Sequence, residues 1–246
     1  MLHVEESGSG PRLVLAHGFT QTGRSWGQFG RELGEVHRLV QVDLPGHGGS
    51  SDVGADLAES AHLVAMAAGD EPVDLLGYSL GARVALHVAI AHPRSVRRLV
   101  LIGGTAGIED DERRAARRRR DEALADDLEA SGDLDAFLRR WLASPMFAGL
   151  RDPGLEERRR NSVSGLASSL RLAGTGTQSP LWDRLGDLAA PVLAVAGADD
   201  LRFCVEAKRL ARTARAGVAS LVPGAGHAAH LAQPLLAARV VAHFLA

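Results

Sequence analysis

A serine stands at the centre of Gly77-Tyr78-Ser79-Leu80-Gly81, a G-x-S-x-G pattern. A serine hydroxyl is a poor nucleophile and a poor base until a neighbour takes its proton. A histidine does this when a carboxylate holds its tautomer and stabilises the imidazolium. Both partner types follow in the order Ser, acid, His expected of this pattern. Asp199 and Asp200 end the apolar run 191–197, and His227 ends Gly224-Ala225-Gly226-His227. Either aspartate suits the acid; Asp200 is preferred, and Asp199 is left to cap the helix that follows. His227 sits in a glycine-flanked loop that suits a reactive tip. His230, at helical spacing from it, reads as a packing residue, and the other eight of the ten histidines as structural or surface. Charge developing on a substrate oxygen needs two N–H donors. One is Leu80, after the serine; the other is Phe19, in His17-Gly18-Phe19 after an early apolar run.

These residues need a frame that brings loop ends together. Short Val- and Leu-rich runs recur at 12–16, 38–42, 73–77, 97–103, 191–197 and 219–223, bounded by Gly, Pro or Asp. They read as buried parallel strands. Segments of helical spacing separate them, such as 80–92 and 233–245. The alternation predicts an α/β class with a mainly parallel sheet and helices on both faces. Ser79, Asp200, His227 and Phe19 all follow the carboxyl ends of predicted strands, where open α/β sheets carry their sites. Between about 106 and 185 no strand is expected. That stretch, with arginine clusters at 113–120, 139–140 and 158–160, reads as an all-helical lid inserted into a single domain spanning 1–246. Its long helix starts with acids, as the helix dipole prefers.

Composition narrows the classes. The 246 residues are 46% hydrophobic and 24% charged, with net charge −2. This is neither disordered nor the basic footprint of a nucleic-acid binder. The one cysteine, Cys204, excludes a disulfide framework and a multi-cysteine metal site. No apolar run reaches the ~20 residues of a membrane span, and the first residues lack a signal-peptide pattern. The expected setting is the cytoplasm, with no metal and no cofactor. Lys208 is the only lysine; all other basic residues are arginine, the better carboxylate clamp.

The set HGF at 17–19, DLPGHGGS at 43–50, GYSLG at 77–81, GADD at 197–200 and GAGH at 224–227 resembles the α/β-hydrolase superfamily. That superfamily includes esterases, lactonases, C–C hydrolases and lyases, so the fold does not choose the reaction. A narrower set resembles the 2-succinyl-6-hydroxy-2,4-cyclohexadiene-1-carboxylate synthase family of menaquinone biosynthesis: GYSLGARVALHVA, the lid stretches FLRRWLASPMFAGL and GLASSLRLAGTGTQSPLWDRL, and DDLRF. The resemblance implies a lyase that eliminates pyruvate from 2-succinyl-5-enolpyruvyl-6-hydroxy-3-cyclohexene-1-carboxylate. It implies Arg83, Trp141 and Tyr78 as substrate-binding residues. It adds one lid arginine within Arg117–Arg118, taken as Arg118, and another within Arg158–Arg160, taken as Arg159. Ala82 stands where the family usually has a second glycine. A substrate with three carboxylates needs several cations facing one cavity. Arg83 lies four residues past Ser79 on one helix face, and helical side chains lean toward the N-terminus. The alternative is a serine hydrolase acting on a small carboxylate-bearing ester, lactone or C–C bond. A non-catalytic hydrolase-fold protein is disfavoured because all three residue types of the Ser-His-acid set are present.

Overall fold

The computed structural model describes residues 1–246. Seven strands form one sheet: β1 (Val4–Gly8), β2 (Arg12–Ala16), β3 (Arg38–Val42), β4 (Val73–Tyr78), β5 (Val96–Ile102), β6 (Val192–Gly197) and β7 (Gly217–Val222). Their spatial order is β1-β3-β2-β4-β5-β6-β7. β1 runs antiparallel to β3, and every other pairing is parallel. All six expected strands are present within one or two residues. β1 was not expected. Its sequence, VEESG, offers no apolar run, because an edge strand half in solvent needs none.

Alternate residues of a strand face opposite sides, and the cores show it. Val14 and Ala16 of β2 join a core with α2 (Leu57–Ala68), α3 (Leu80–Ala91) and α8 (Leu201–Thr213). Leu13 and Leu15 join the opposite core, with α1 (Gly27–Gly34) and α10 (Pro234–Leu245). The sheet is covered on both faces, as its continuous apolar strands require.

No strand occurs between β5 and β6. That stretch holds α4 (Asp111–Ser131), α5 (Leu134–Leu142), α6 (Leu155–Arg158) and α7 (Val163–Ala173). Asp110 caps α4 by accepting from the Arg113 N–H, and Asp111 and Glu112 occupy its first turn. These helices have a small core of their own, with Leu128, Phe137, Leu138 and Leu166 against Phe19. Phe19 thereby joins the helical insertion to the sheet. A short helix, α9 (Ala229–Ala232), precedes α10. No helix is long and apolar enough to cross a membrane.

Candidate active site

The loop ends of β2, β4, β6 and β7 converge at one edge of the parallel sheet. Ser79 lies on the sharp turn from β4 into α3, with φ 52° and ψ −103°. A serine there is strained, and its surroundings hold it. The Ser79 N–H donates to the Ile102 carbonyl at 2.9 Å, and the Gly81 N–H to the His17 carbonyl at 3.0 Å. Both motif glycines are sterically required. A Cβ on Gly77 would lie 2.2 Å from the Gly81 carbonyl oxygen, and one on Gly81 would lie 1.9 Å from that of Ala16.

His227 Nε2 lies 3.1 Å from Ser79 Oγ, and Nδ1 lies 3.1 Å from Asp200 Oδ2. A carboxylate only accepts, so the imidazole proton belongs on Nδ1. Nε2 is then left to accept the serine hydroxyl. The His227 ring is buried and rests on Phe203, 4.4 Å between centroids. Asp200 Oδ1 accepts the Phe203 N–H at 3.2 Å and so caps α8. Burial pushes the Asp200 carboxyl up, but the His227 and Phe203 hydrogen bonds together hold it below the usual carboxylate range. Asp199 is exposed and is not the cap; Asp200 fills both roles with its two oxygens.

Phe19 and Leu80 flank Ser79 in the cavity wall. The amides around them are occupied: Gly18 N–H donates to Gln21 Oε1, Thr20 N–H to His47 Nε2, and Gly81 N–H to His17 O. The Phe19 and Leu80 N–H groups donate to no protein acceptor. Two free donors beside a poised serine are what an oxygen gaining charge requires.

The cavity encloses about 720 Å³ including its mouth, within the range of small-molecule sites. Arg83, Arg117, Arg202, Asp121 and Trp141 line it with Ser79 and His227. Arg83 is 6% exposed, and its one hydrogen-bond acceptor is the Gly174 carbonyl at 3.3 Å. Burial lowers its pKa to about 10, and the nearby Arg117 charge adds to the effect. A buried cation without a carboxylate partner is costly unless a ligand supplies the anion. Trp141 packs its ring 5.2 Å from Phe19 and leaves Nε1 without a partner.

Three of the expected substrate-contact residues lie outside the cavity wall. Arg118 points out and pairs with Glu122 at 2.9 Å, while Arg117 faces the cavity with its Nε on Asp121 at 2.8 Å. Successive helical residues differ by about 100°, so the choice between 117 and 118 is a choice of face. The buried stripe Leu128, Ala125, Asp121 lies about equally close to both positions, so the packed structure decides which one faces the cavity. Arg159 is exposed and pairs with Asp135 and Glu156. Arg158 is the buried member of its cluster, held by Pro153 O, Phe19 O and Thr20 Oγ1. Three successive arginines at the end of a one-turn helix carry no periodicity to choose among them. Tyr78 is buried beneath His227 and His230, at 5.5 and 4.3 Å between centroids, and does not line the cavity. Arg202, Asp121 and Ser169 do line it and were not anticipated.

Comparisons with known proteins bear on the fold and the family. The alpha/beta hydrolase family pattern matches residues 13–240. A Bacillus subtilis (strain 168) protein provisionally named 2-succinyl-6-hydroxy-2,4-cyclohexadiene-1-carboxylate synthase is 33% identical, over 95% of this chain and 89% of its own. The synthase of that name from Serratia proteamaculans (strain 568) is 32% identical, over 96% and 93%. The structure of MenH from S. aureus superposes with a TM-score of 0.91 at 27% identity, covering 100% of this chain and 98% of that one. The chain therefore belongs to the alpha/beta hydrolase family of enzymes and, within it, to the family of the 2-succinyl-6-hydroxy-2,4-cyclohexadiene-1-carboxylate synthases.

Proposed function

We propose that this enzyme eliminates pyruvate from 2-succinyl-5-enolpyruvyl-6-hydroxy-3-cyclohexene-1-carboxylate, with Ser79, His227 and Asp200 as its catalytic triad. The observation that carries the reading is Arg83, a buried cation without a carboxylate partner in the same cavity as Ser79. A neutral ester leaves that charge uncompensated; a carboxylate neutralises it with charge-assisted hydrogen bonds. Arg117 and Arg202 supply further cations for the other two carboxylates.

The geometry supports the following chemistry. His227 takes the Ser79 proton, and the serine oxygen removes the ring proton next to the succinyl ketone. The electron pair moves to the ketone oxygen, where the Phe19 and Leu80 N–H groups stabilise the enolate. As the enolate collapses, the ring double bond shifts, the C–O bond to the enolpyruvyl group breaks, and the leaving enolate is protonated to pyruvate. In this reading the chain is one hydrolase domain, and its helical insertion is a lid that keeps water from the enolate. A cytoplasmic setting follows, because a tricarboxylate does not cross membranes unaided.

The test is pyruvate release from freshly generated intermediate, with Ser79→Ala protein as the baseline for spontaneous loss and a neutral p-nitrophenyl ester assayed alongside. Wild type is expected to accelerate pyruvate release, Ser79→Ala to abolish the acceleration, and ester cleavage to be feeble. Ester cleavage without accelerated pyruvate release would refute the lyase reading in favour of a serine hydrolase.

A further inference from the structure

We propose that Asn161 is a positioning residue that holds the Phe19 N–H in place by stapling the left-handed Thr20 to the helical insertion. The inference rests on the oxyanion role of Phe19 in the reading above, and it applies equally if the enzyme is a hydrolase.

Thr20 follows the Phe19 donor and has φ 67°. A β-branched residue in that region is an outlier costing on the order of 1–3 kcal/mol and persists only where its surroundings over-determine it. Here every polar group of Thr20 is engaged. Its N–H donates to His47 Nε2 at 3.3 Å. Its carbonyl accepts from Asn161 Nδ2 at 2.7 Å, and its hydroxyl from Arg158 Nη1. Arg158 Nη1 also reaches the Phe19 carbonyl at 3.4 Å. Two of the three Thr20 contacts therefore come from residues 158–161, within the insertion between β5 and β6.

Asn161 is 6% exposed, and both of its N–H donors and its carbonyl oxygen are engaged. Nδ2 donates to Thr20 O and, at 2.8 Å, to Arg158 O; Oδ1 accepts the Gly48 N–H at 3.0 Å. One amide thus ties together the loop after β2, the loop after β3 and the insertion. An aspartate cannot donate and a leucine cannot accept, so only a carboxamide of this length meets all three. The peptide turn at Thr20 sets the orientation of the preceding residue, which lines the cavity with Ser79 and whose N–H is a free donor. Without the staple the loop can relax toward an unstrained φ and turn that donor away. A donor used only as charge develops affects the transition state, so its misplacement lowers kcat and spares KM.

The experiment measures kcat and KM for pyruvate release and for p-nitrophenyl ester cleavage, with wild type, Asn161→Asp, Thr20→Gly and the double variant. Asn161→Asp keeps the volume and the acceptor for Gly48 but loses the donor to Thr20. It is expected to lower kcat at least tenfold with KM within about twofold, on whichever substrate the wild type turns over. Thr20→Gly removes the strain, since glycine adopts positive φ freely. In that background Asn161→Asp is expected to cost less than about threefold. A residue that merely anchored the insertion would gain nothing from Thr20→Gly. If Asn161→Asp fails to fold, Asn161→Ser, a shorter donor, carries the same expectation. An unchanged kcat, or a kcat loss that persists undiminished in the Thr20→Gly background, overturns the proposal. Wild type that cleaves the ester without accelerating pyruvate release would overturn the lyase reading alone, and a recovered kcat loss on the ester would still support Asn161. Wild type inactive on both substrates would overturn the oxyanion site and this proposal with it.

Discussion

Asp200 divides one carboxylate between two tasks: Oδ2 holds His227, and Oδ1 caps α8. The division makes Asp200→Asn an informative variant. An asparagine oxygen can still accept the Phe203 N–H, so α8 and the melting temperature should be retained. Its NH₂ would face His227 Nδ1 and force the imidazole proton onto Nε2, where it can no longer accept from Ser79. We expect kcat to fall roughly 10⁴-fold with little change in KM; a loss below about tenfold would contradict the role given to Asp200. Arg83 calls for a different signature. Arg83→Ala should raise KM for the tricarboxylate by tenfold or more while sparing the neutral ester, because only the charged substrate uses the cation. Equal losses on both substrates would make Arg83 a packing residue.

At the scale of an element, α4 shows how a helix selects among like residues. It carries four consecutive arginines at 117–120, and Arg117 is the one that lines the cavity. The adjacent Arg118 forms an exposed i, i+4 pair with Glu122, a contact worth ~0.3–0.5 kcal/mol. Arg117→Ala is expected to raise KM for the anionic substrate at least tenfold, and Arg118→Ala to change it by less than twofold. Steady-state kinetics on the two variants decide the phase of the helix directly. A larger effect at 118 would mean that α4 is rotated in the working enzyme. The β4–α3 elbow shows the complementary case, in which the motif alone dictates the backbone. Gly77 and Gly81 have no room for a Cβ, so the pattern was readable without knowing what packs there.

Across the whole molecule, three buried histidines tie stability to pH. Burial lowers His17 to about 4 and His47 and His230 to about 3. His17 Nε2 accepts the Leu44 N–H at 3.0 Å, and His47 Nε2 accepts from Thr20, so both must be neutral in place. Both ring nitrogens of His230 are without partners against Trp26, Phe29 and Tyr78. The unfolded chain titrates these groups near 6.5. Between about pH 6.5 and 4 it binds more protons than the folded chain, so stability rises with pH across that window and is lost on acidification. Unfolding should take up to three protons there. Denaturant unfolding at pH 7.5, 6.5, 5.5 and 4.5 is expected to show a flat profile above 6.5 and a steep fall below it. His230→Leu should reduce the slope by about one proton, and an unchanged slope would show that His230 is not neutral in the folded state.

Much of this was legible before the chain was folded. The strands from β2 to β7, the helical insertion and the residues Ser79, His227 and Asp200 are each announced locally, by apolar runs, turn residues or a glycine-framed motif. Such signals survive in a linear reading because each element's period or turn is a property of neighbouring residues. Three things were not local. β1 is a strand through its pairing with β3, not through its composition. Which arginine of α4 faces the cavity, and which of 158–160 is buried, depends on how each segment packs against its neighbours. The staple from Asn161 to Thr20 joins residues 141 positions apart. Sequence alone determined which reactive residue types were present and which strand ends carry them. Tertiary structure decided which charges were buried and which donors were free, because burial and hydrogen-bond saturation are properties of what packs around a residue rather than of the residue itself.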